Sequence, residues 1–245
     1  MKILLVNDDG FDSIGIKAVA DLFKKEHEVT IVAPDSQRSA SSHSVTLAPN
    51  TILWRKVESD IDTYAVKGTP VDCLKLGLLN FAPNPDIVIS GINSGRNLGI
   101  DILFSGTIAV ASDAASLGYR AIALSAFDKD TSADIYARCA EFVKNNLDSF
   151  MAYNLSNGVF LNINFPKCKP RGVRIAKMCV LPTFIDVYGD KNGQMSVDGY
   201  RGNGGFEEET DEALCNDGYI TVTPLTVDMT DYTALELLKK EKFVL

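Results

Sequence analysis

Short apolar, β-branched runs alternate along this chain with stretches whose apolar residues recur every three or four positions. KILLVN at 2–7, EVTIVAP at 28–34, PDIVIS at 85–90 and YRAIALS at 119–125 each read as a buried strand. Between them, SIGIKAVADLFKK from Ser13 and FSGTIAVASDAASLG from Ser105 have helical spacing, and SADIYARCAEFVKNNL predicts a further helix. Thr69-Pro70-Val71-Asp72 is a helix start with a mechanism: Thr as cap, Pro at the first helical position, Asp in the first turn. NTILWRKV and DTYAVKG are spaced as a hairpin. Strands this continuously apolar belong to a parallel sheet covered on both faces. The pattern therefore predicts an α/β fold with a doubly wound, Rossmann-like, mostly parallel sheet.

Beyond residue 150 the character changes. GVFLNINFP, GVRIAKMCVLP and GYITVTPL read as strands, and DYTALELLKKEK closes as a helix. Between them lies VYGDKNGQMSVDGYRGNGGFEEETDE, long, polar and Gly-rich, with EEETDE at 207–212 read as a solvated loop. The expected organisation is a core over 1–150, with 151–245 completing it and adding a β-rich arm and a terminal helix.

Composition narrows the class. Of 245 residues, 46% are hydrophobic, enough for a sizeable core. No apolar run approaches the roughly 18 residues of a membrane-spanning helix, and MKILLVNDDG turns acidic too early for a signal peptide. Five scattered cysteines without a C-x-x-C pair argue against a disulfide framework or a zinc site, so a cytoplasmic protein is expected. With 24 Lys and Arg against 32 Asp and Glu, the net charge of −8 disfavours stable nucleic-acid binding.

The candidate chemistry sits where a parallel sheet binds ligands, beyond the carboxyl ends of its strands. Asn7, Asp8 and Asp9 follow the first strand, and Ser36, Arg38, Ser39 and His43 the second. Asn93, Ser94, Arg96 and Asn97 follow PDIVIS, and Ser105, Gly106 and Thr107 open the next helix. These oxygens are hard donors, suited to Mg²⁺, Mn²⁺ or Ca²⁺. Adjacent carboxylates repel, and Gly10 would let the chain turn so that both face one ion; NDDG also reads as a tight turn. Ser-Gly-Thr at a helix start offers free N–H groups to an anion, although an ordinary cap uses the same Ser. There is no G-x-G-x-x-G after the first strand, no GxxxxGK[ST] and no G-x-S-x-G, and only two histidines, His27 and His43. Dinucleotide, P-loop and nucleophilic-hydrolase readings lose their support. A phospho-accepting receiver module fails as well, because Gly91 stands where it needs an aspartate.

Taken together, NDDG at 7–10, APDSQRSASSHSVT at 33–46, KGTPVDCL at 67–74, SGINSGRNLG at 90–99, FSGTIAVAS at 104–112, LNINFP at 161–166 and TDEALCNDGYITVTPLTVDMT at 210–230 resemble the SurE survival-protein family of nucleotidases. The resemblance implies a phosphatase acting on nucleoside 5′- and 3′-monophosphates, in some members also on short polyphosphate. It implies one divalent ion, Mg²⁺ or Mn²⁺, per subunit, held by Asp8, Asp9, Ser39 and Asn93. Asp8 and Asp9 would be catalytic; Asn93, Asn97, Ser105, Gly106 and Thr107 would bind phosphate. It further implies a homodimer or homotetramer that exchanges the C-terminal arm. The alternative is a nucleotide-binding regulatory protein with little turnover. One departure stands out: Ala40 occupies a position that is Gly in many members, and a positive φ there would strain it.

Overall fold

The computed structural model describes residues 1–47, 49–126, 133–153, 155, 157–181, 184–201 and 206–241. Ser132, Pro182, Lys242 and the Gly-rich 202–205, which fall within expected elements, lie outside the described residues. In chain order the elements are β1 (Lys2–Val6), α1 (Ile14–Phe23), β2 (Glu28–Pro34), β3 (Leu53–Val57), β4 (Asp62–Lys67), α2 (Pro70–Leu76) and β5 (Ile87–Ser94). Then follow α3 (Gly106–Ser116), β6 (Ala121–Ala126), α4 (Ala133–Ala152), β7 (Val159–Phe165), β8 (Val173–Ile175), β9 (Phe184–Lys191) and β10 (Gln194–Arg201). The chain closes with α5 (Asp211–Asn216), β11 (Ile220–Thr226) and α6 (Tyr232–Leu238). A π-helical turn, Gly77–Phe81, extends α2, and 3₁₀ turns over Gly99–Phe104 lead into α3.

Nine of these strands form one sheet in the order β3-β4-β2-β1-β5-β6-β7-β11-β8. From β4 to β7 the pairings are all parallel; β3 runs antiparallel to β4 and β11 antiparallel to β7. Helices cover both faces, as the unbroken apolar strands require. On β1, Ile3 and Leu5 enter the layer under α1 and α4, whereas Leu4 and Val6 enter the layer under α2 and α3. A one-residue slip of this strand would exchange the two sets. Ile16, Val19 and Phe23 of α1 are fully buried, worth about 1.5–3 kcal/mol each. The α2 start is a full capping box: Asp72 N donates to Thr69 Oγ1 at 3.1 Å, and Thr69 N donates to Asp72 Oδ2 at 2.9 Å.

β1 lies between β2 and β5, and the chain builds outward from it first on one side and then on the other. The switch point of the sheet is therefore the crevice between β1 and β5, where ligands bind in such folds.

The β9–β10 hairpin forms a two-stranded sheet of its own. The acidic stretch at 207–212 differs from its sequence reading. Thr210, Asp211 and Glu212 are buried, and Thr210 Oγ1 caps α5 by accepting from Ala213 N at 3.4 Å. The carboxylates are drawn in because they satisfy buried donors of a neighbouring loop, as the site geometry makes clear.

Candidate active site

Asn7, at the end of β1, makes the turn that presents the acidic pair. Its amide donates to Gly10 O at 2.9 Å and Ser13 Oγ at 2.8 Å, and Gly10 N donates back to Asn7 Oδ1 at 3.1 Å. Gly10 closes this turn at φ +107°, a conformation L side chains rarely adopt. The strand alternation is broken there, so both carboxylates stay on the crevice.

Asp8 is buried and accepts from Thr107 Oγ1 at 2.8 Å, while its carbonyl accepts from Arg38 N at 2.7 Å. Burial pushes the Asp8 carboxyl up to about 6; the Thr107 hydrogen bond opposes this and the charge of Asp9 adds to it. Asp9, half-buried, accepts from Ser94 N at 2.8 Å and from Gln37 Nε2 at 3.2 Å. The structure thus joins β1 to the helix start at 105–107 through Asp8, and to the end of β5 through Asp9.

At the helix start, Ser105 Oγ accepts from Ile108 N at 3.2 Å and so caps α3. Gly106 and Thr107 occupy the first two helical positions, whose N–H groups have no intrahelical acceptor. A Cβ on Gly106 would stand 2.9 Å from Ser41 Oγ and Pro70 Cγ and 3.0 Å from Asp8 Cβ. Glycine is what allows these four segments to meet. The Ser41 hydroxyl is buried beside Gly106 and has no hydrogen-bond partner among the described residues.

Asn93 is half-buried, and its amide nitrogen donates to Gly95 O at 2.8 Å, which leaves Oδ1 as an acceptor for other partners. Ser39 is exposed, next to the Arg38 amide that contacts Asp8. Ala40 follows at φ +54°, the strained conformation considered for it above. Asn97 is placed differently from its neighbours. It is buried, its amide donates to Ser125 Oγ at 2.8 Å, and its backbone is gripped by Asn162 and Asn164 at 2.8–2.9 Å.

The same loop is held from below by α5. Asp211 Oδ2 accepts from Gly99 N at 2.9 Å, while Oδ1 accepts from Cys179 N at 2.8 Å and Glu212 N at 2.9 Å. Arg96 Nη1 meets Glu212 Oε2 at 3.0 Å and Asn216 Oδ1 at 3.1 Å, in a pair whose side chains are almost wholly buried. These supports escape a search for ligand-binding motifs. Their signal was the buried amides at alternate positions of LNINFP and the Thr-Asp-Glu start of α5.

Among the described residues, no three His, Cys, Asp or Glu side chains gather into a metal-holding cluster. The set here is of another kind: two carboxylates with neutral amide and hydroxyl oxygens beside them. Such a set suits a hard dication that keeps water or substrate oxygens in its shell.

The family model for survival protein SurE matches residues 3–183. The chain belongs to the SurE family. A SurE relative from Thermoanaerobacter sp. (strain X514), named 5′-nucleotidase SurE, is 38% identical over 248 residues, spanning 97% of each chain. A second SurE protein of that name, from Clostridium botulinum (strain Kyoto / Type A2), is 37% identical over 251 residues, spanning 96% of this chain and 97% of its own. Among solved structures, the crystal structure of the SurE protein from Aquifex aeolicus superposes with a TM-score of 0.85 at 32% identity, covering 98% of each chain. The residues that the family model matches include the acidic turn and the α3 start.

Proposed function

We propose that this protein is a nucleotidase that uses one Mg²⁺ or Mn²⁺ ion per subunit to hydrolyse nucleoside 5′- and 3′-monophosphates to nucleoside and phosphate, with short polyphosphate as a further substrate. One observation carries the reading: Asp8 and the free N–H groups of Gly106 and Thr107 share a wall, with Thr107 Oγ1 bonded to Asp8 Oδ1 at 2.8 Å. A cation site and an anion cradle in contact are what a phosphate monoester needs. The 5′-nucleotidase names of the relatives at 37–38% identity support it.

In this reading Asp8, Asp9, Asn93 Oδ1 and Ser39 hold the ion. The ion, when bound, would offset phosphoryl charge and the mutual repulsion of Asp8 and Asp9, which adds to the burial that raises the Asp8 carboxyl. Gly106 N, Thr107 N and the Ser41 hydroxyl donate to the phosphate oxygens, and Ser105 keeps the helix start in register. Thr107 spends its hydroxyl on Asp8 and so serves the phosphate through its N–H. Asn97 acts chiefly through the buried network that fixes the β5 loop. Asp9, half-exposed where water arrives, takes the proton of the attacking water; the phosphorus–oxygen bond to the nucleoside breaks, and the leaving oxygen is protonated from solvent.

A two-stranded hairpin is marginal alone, so we assign β9–β10 as an arm that a second copy covers, in a dimer or tetramer. Free cysteines throughout the described residues support a cytoplasmic setting, and no described helix is long and apolar enough to cross a membrane.

The test is phosphate release from AMP after EDTA treatment, with and without added Mg²⁺ or Mn²⁺, in the native protein and Asp9→Asn. Release only with metal, and lost in Asp9→Asn, is expected. AMP binding without release in any condition would replace the enzyme by a regulatory nucleotide binder.

A further inference from the structure

One face of α3 continues past the phosphate cradle as the wall of a groove of about 480 Å³. Ser105, Ile108, Ala109 and Ser112 line it, the i, i+3, i+4, i+7 stripe of a single helix face. Ile102 and Leu225 close the sides, and the lining is mainly apolar. Ser105 therefore belongs to both the cradle and the groove. A space of this size, apolar with few polar groups, is of the kind that takes a small organic ligand.

Among the described residues, His43 is the one ionisable side chain lining it. Its Nε2 lies 3.4 Å from Asp113 Oδ1, and the other Asp113 oxygen is 3.9 Å from Lys75 Nζ. The residues on either side are pinned: Ser42 N donates to Phe104 O at 3.1 Å, and Ser44 O accepts from Thr69 Oγ1 at 2.8 Å. A neutral ring that gives its Nε2–H to this carboxylate offers Nδ1 as an acceptor. Asp113 stands six residues beyond Thr107 on α3, about 9 Å along the axis at 1.5 Å per residue. That separation is of the order of a nucleoside's length.

We propose that this groove seats the nucleoside half of the substrate, and that His43, braced by Asp113, is a specificity-determining contact accepting an N–H or O–H of the base or sugar. The inference rests on the nucleotidase reading and adds its substrate side.

The experiment compares kcat/KM for AMP with that for p-nitrophenyl phosphate, whose leaving group carries no N–H or O–H for His43 to accept, in the native protein, His43→Ala, His43→Gln and Ser112→Phe. The AMP to p-nitrophenyl phosphate ratio should fall about tenfold in His43→Ala, the scale of one hydrogen bond. It should fall further in Ser112→Phe, which fills the groove, and partly recover in His43→Gln, which keeps an acceptor. IMP and 2′-deoxy-AMP assign the donor: whichever loses discrimination between native and His43→Ala lacks the group that His43 reads. An unmoved ratio in both His43→Ala and Ser112→Phe overturns the proposal. If the metal-loaded native protein hydrolyses neither ester, the activity reading fails and adenosine binding to EDTA-treated protein, followed by saturation-transfer NMR, decides the groove. Adenosine that binds the native protein but not Ser112→Phe upholds it; adenosine that binds both, or neither, refutes it.

Discussion

Replacing Asp211 by Asn tests how the site loop is held. The change preserves shape but converts one carboxylate oxygen to an NH₂ donor. In the native protein, Oδ1 accepts two N–H groups, from Cys179 and Glu212, and Oδ2 accepts a third from Gly99. The best arrangement for Asn keeps its oxygen on the pair and turns its NH₂ toward Gly99 N. One charge-assisted hydrogen bond is then lost, at about 1.5–3 kcal/mol, and a buried N–H faces another donor. Asp211 is fully buried, so water cannot repair the loss. A total of about 2–4 kcal/mol follows, which for a chain of this size lowers the Tm by roughly 5–15 °C. Urea unfolding gives the energy, and amide exchange locates it: Gly99 should lose protection well before the β1 and β5 amides. Because Gly99 ends the loop that follows Asn93 and Ser94 at the end of β5, turnover of AMP should fall with it. A variant with native stability and native Gly99 protection would show that Asp211 is not what fastens this loop.

Gly106→Ala places a methyl within 3.0 Å of Ser41, Pro70 and Asp8, so it should cost about 1–3 kcal/mol in urea and weaken phosphate binding in competition assays. Ala40→Gly should raise stability by about 0.5–1 kcal/mol, the left-handed penalty at φ +54° less the extra entropy of glycine; a less stable variant would refute the strain. Of five cysteines, Cys168 is exposed, whereas burial raises the Cys73 and Cys139 thiols and pushes Cys215 up to about 12. A thiol reagent near neutral pH should therefore titrate one group quickly in the native protein and five after unfolding; two or more fast thiols would contradict the burial.

Much of the fold was legible because apolar periodicity reports which faces are covered. KILLVN, PDIVIS and the helix from Ser105 needed no tertiary information, and the Thr69 cap emerged with its Asp72 partner in place. The hairpin of NTILWRKV and DTYAVKG was equally plain, and it pairs antiparallel as β3 and β4. EEETDE was misleading for a physical reason. Thr210, Asp211 and Glu212 are buried: Asp211 accepts from backbone donors about 30 and 110 residues away and Glu212 meets the Arg96 side chain, and composition carries no sign of those partners. Asn97 is a similar case: its place in the chain groups it with the ligand-binding residues, and only the order β5-β6-β7 in the sheet brings it to Ser125, Asn162 and Asn164.

By itself, then, the sequence determined the strands and helices of the core up to residue 150, the parallel class of the sheet and the residues gathered at its carboxyl edge, since each follows from local geometry and periodicity. Tertiary structure alone decided that Asp8 meets Thr107, that Asp9 is held by Ser94, that α5 supports the site from below, and that His43 lies on α3 over an apolar groove. Those contacts join residues from 70 to more than 100 positions apart, and their free energy appears only when the sheet brings their strand ends to one edge.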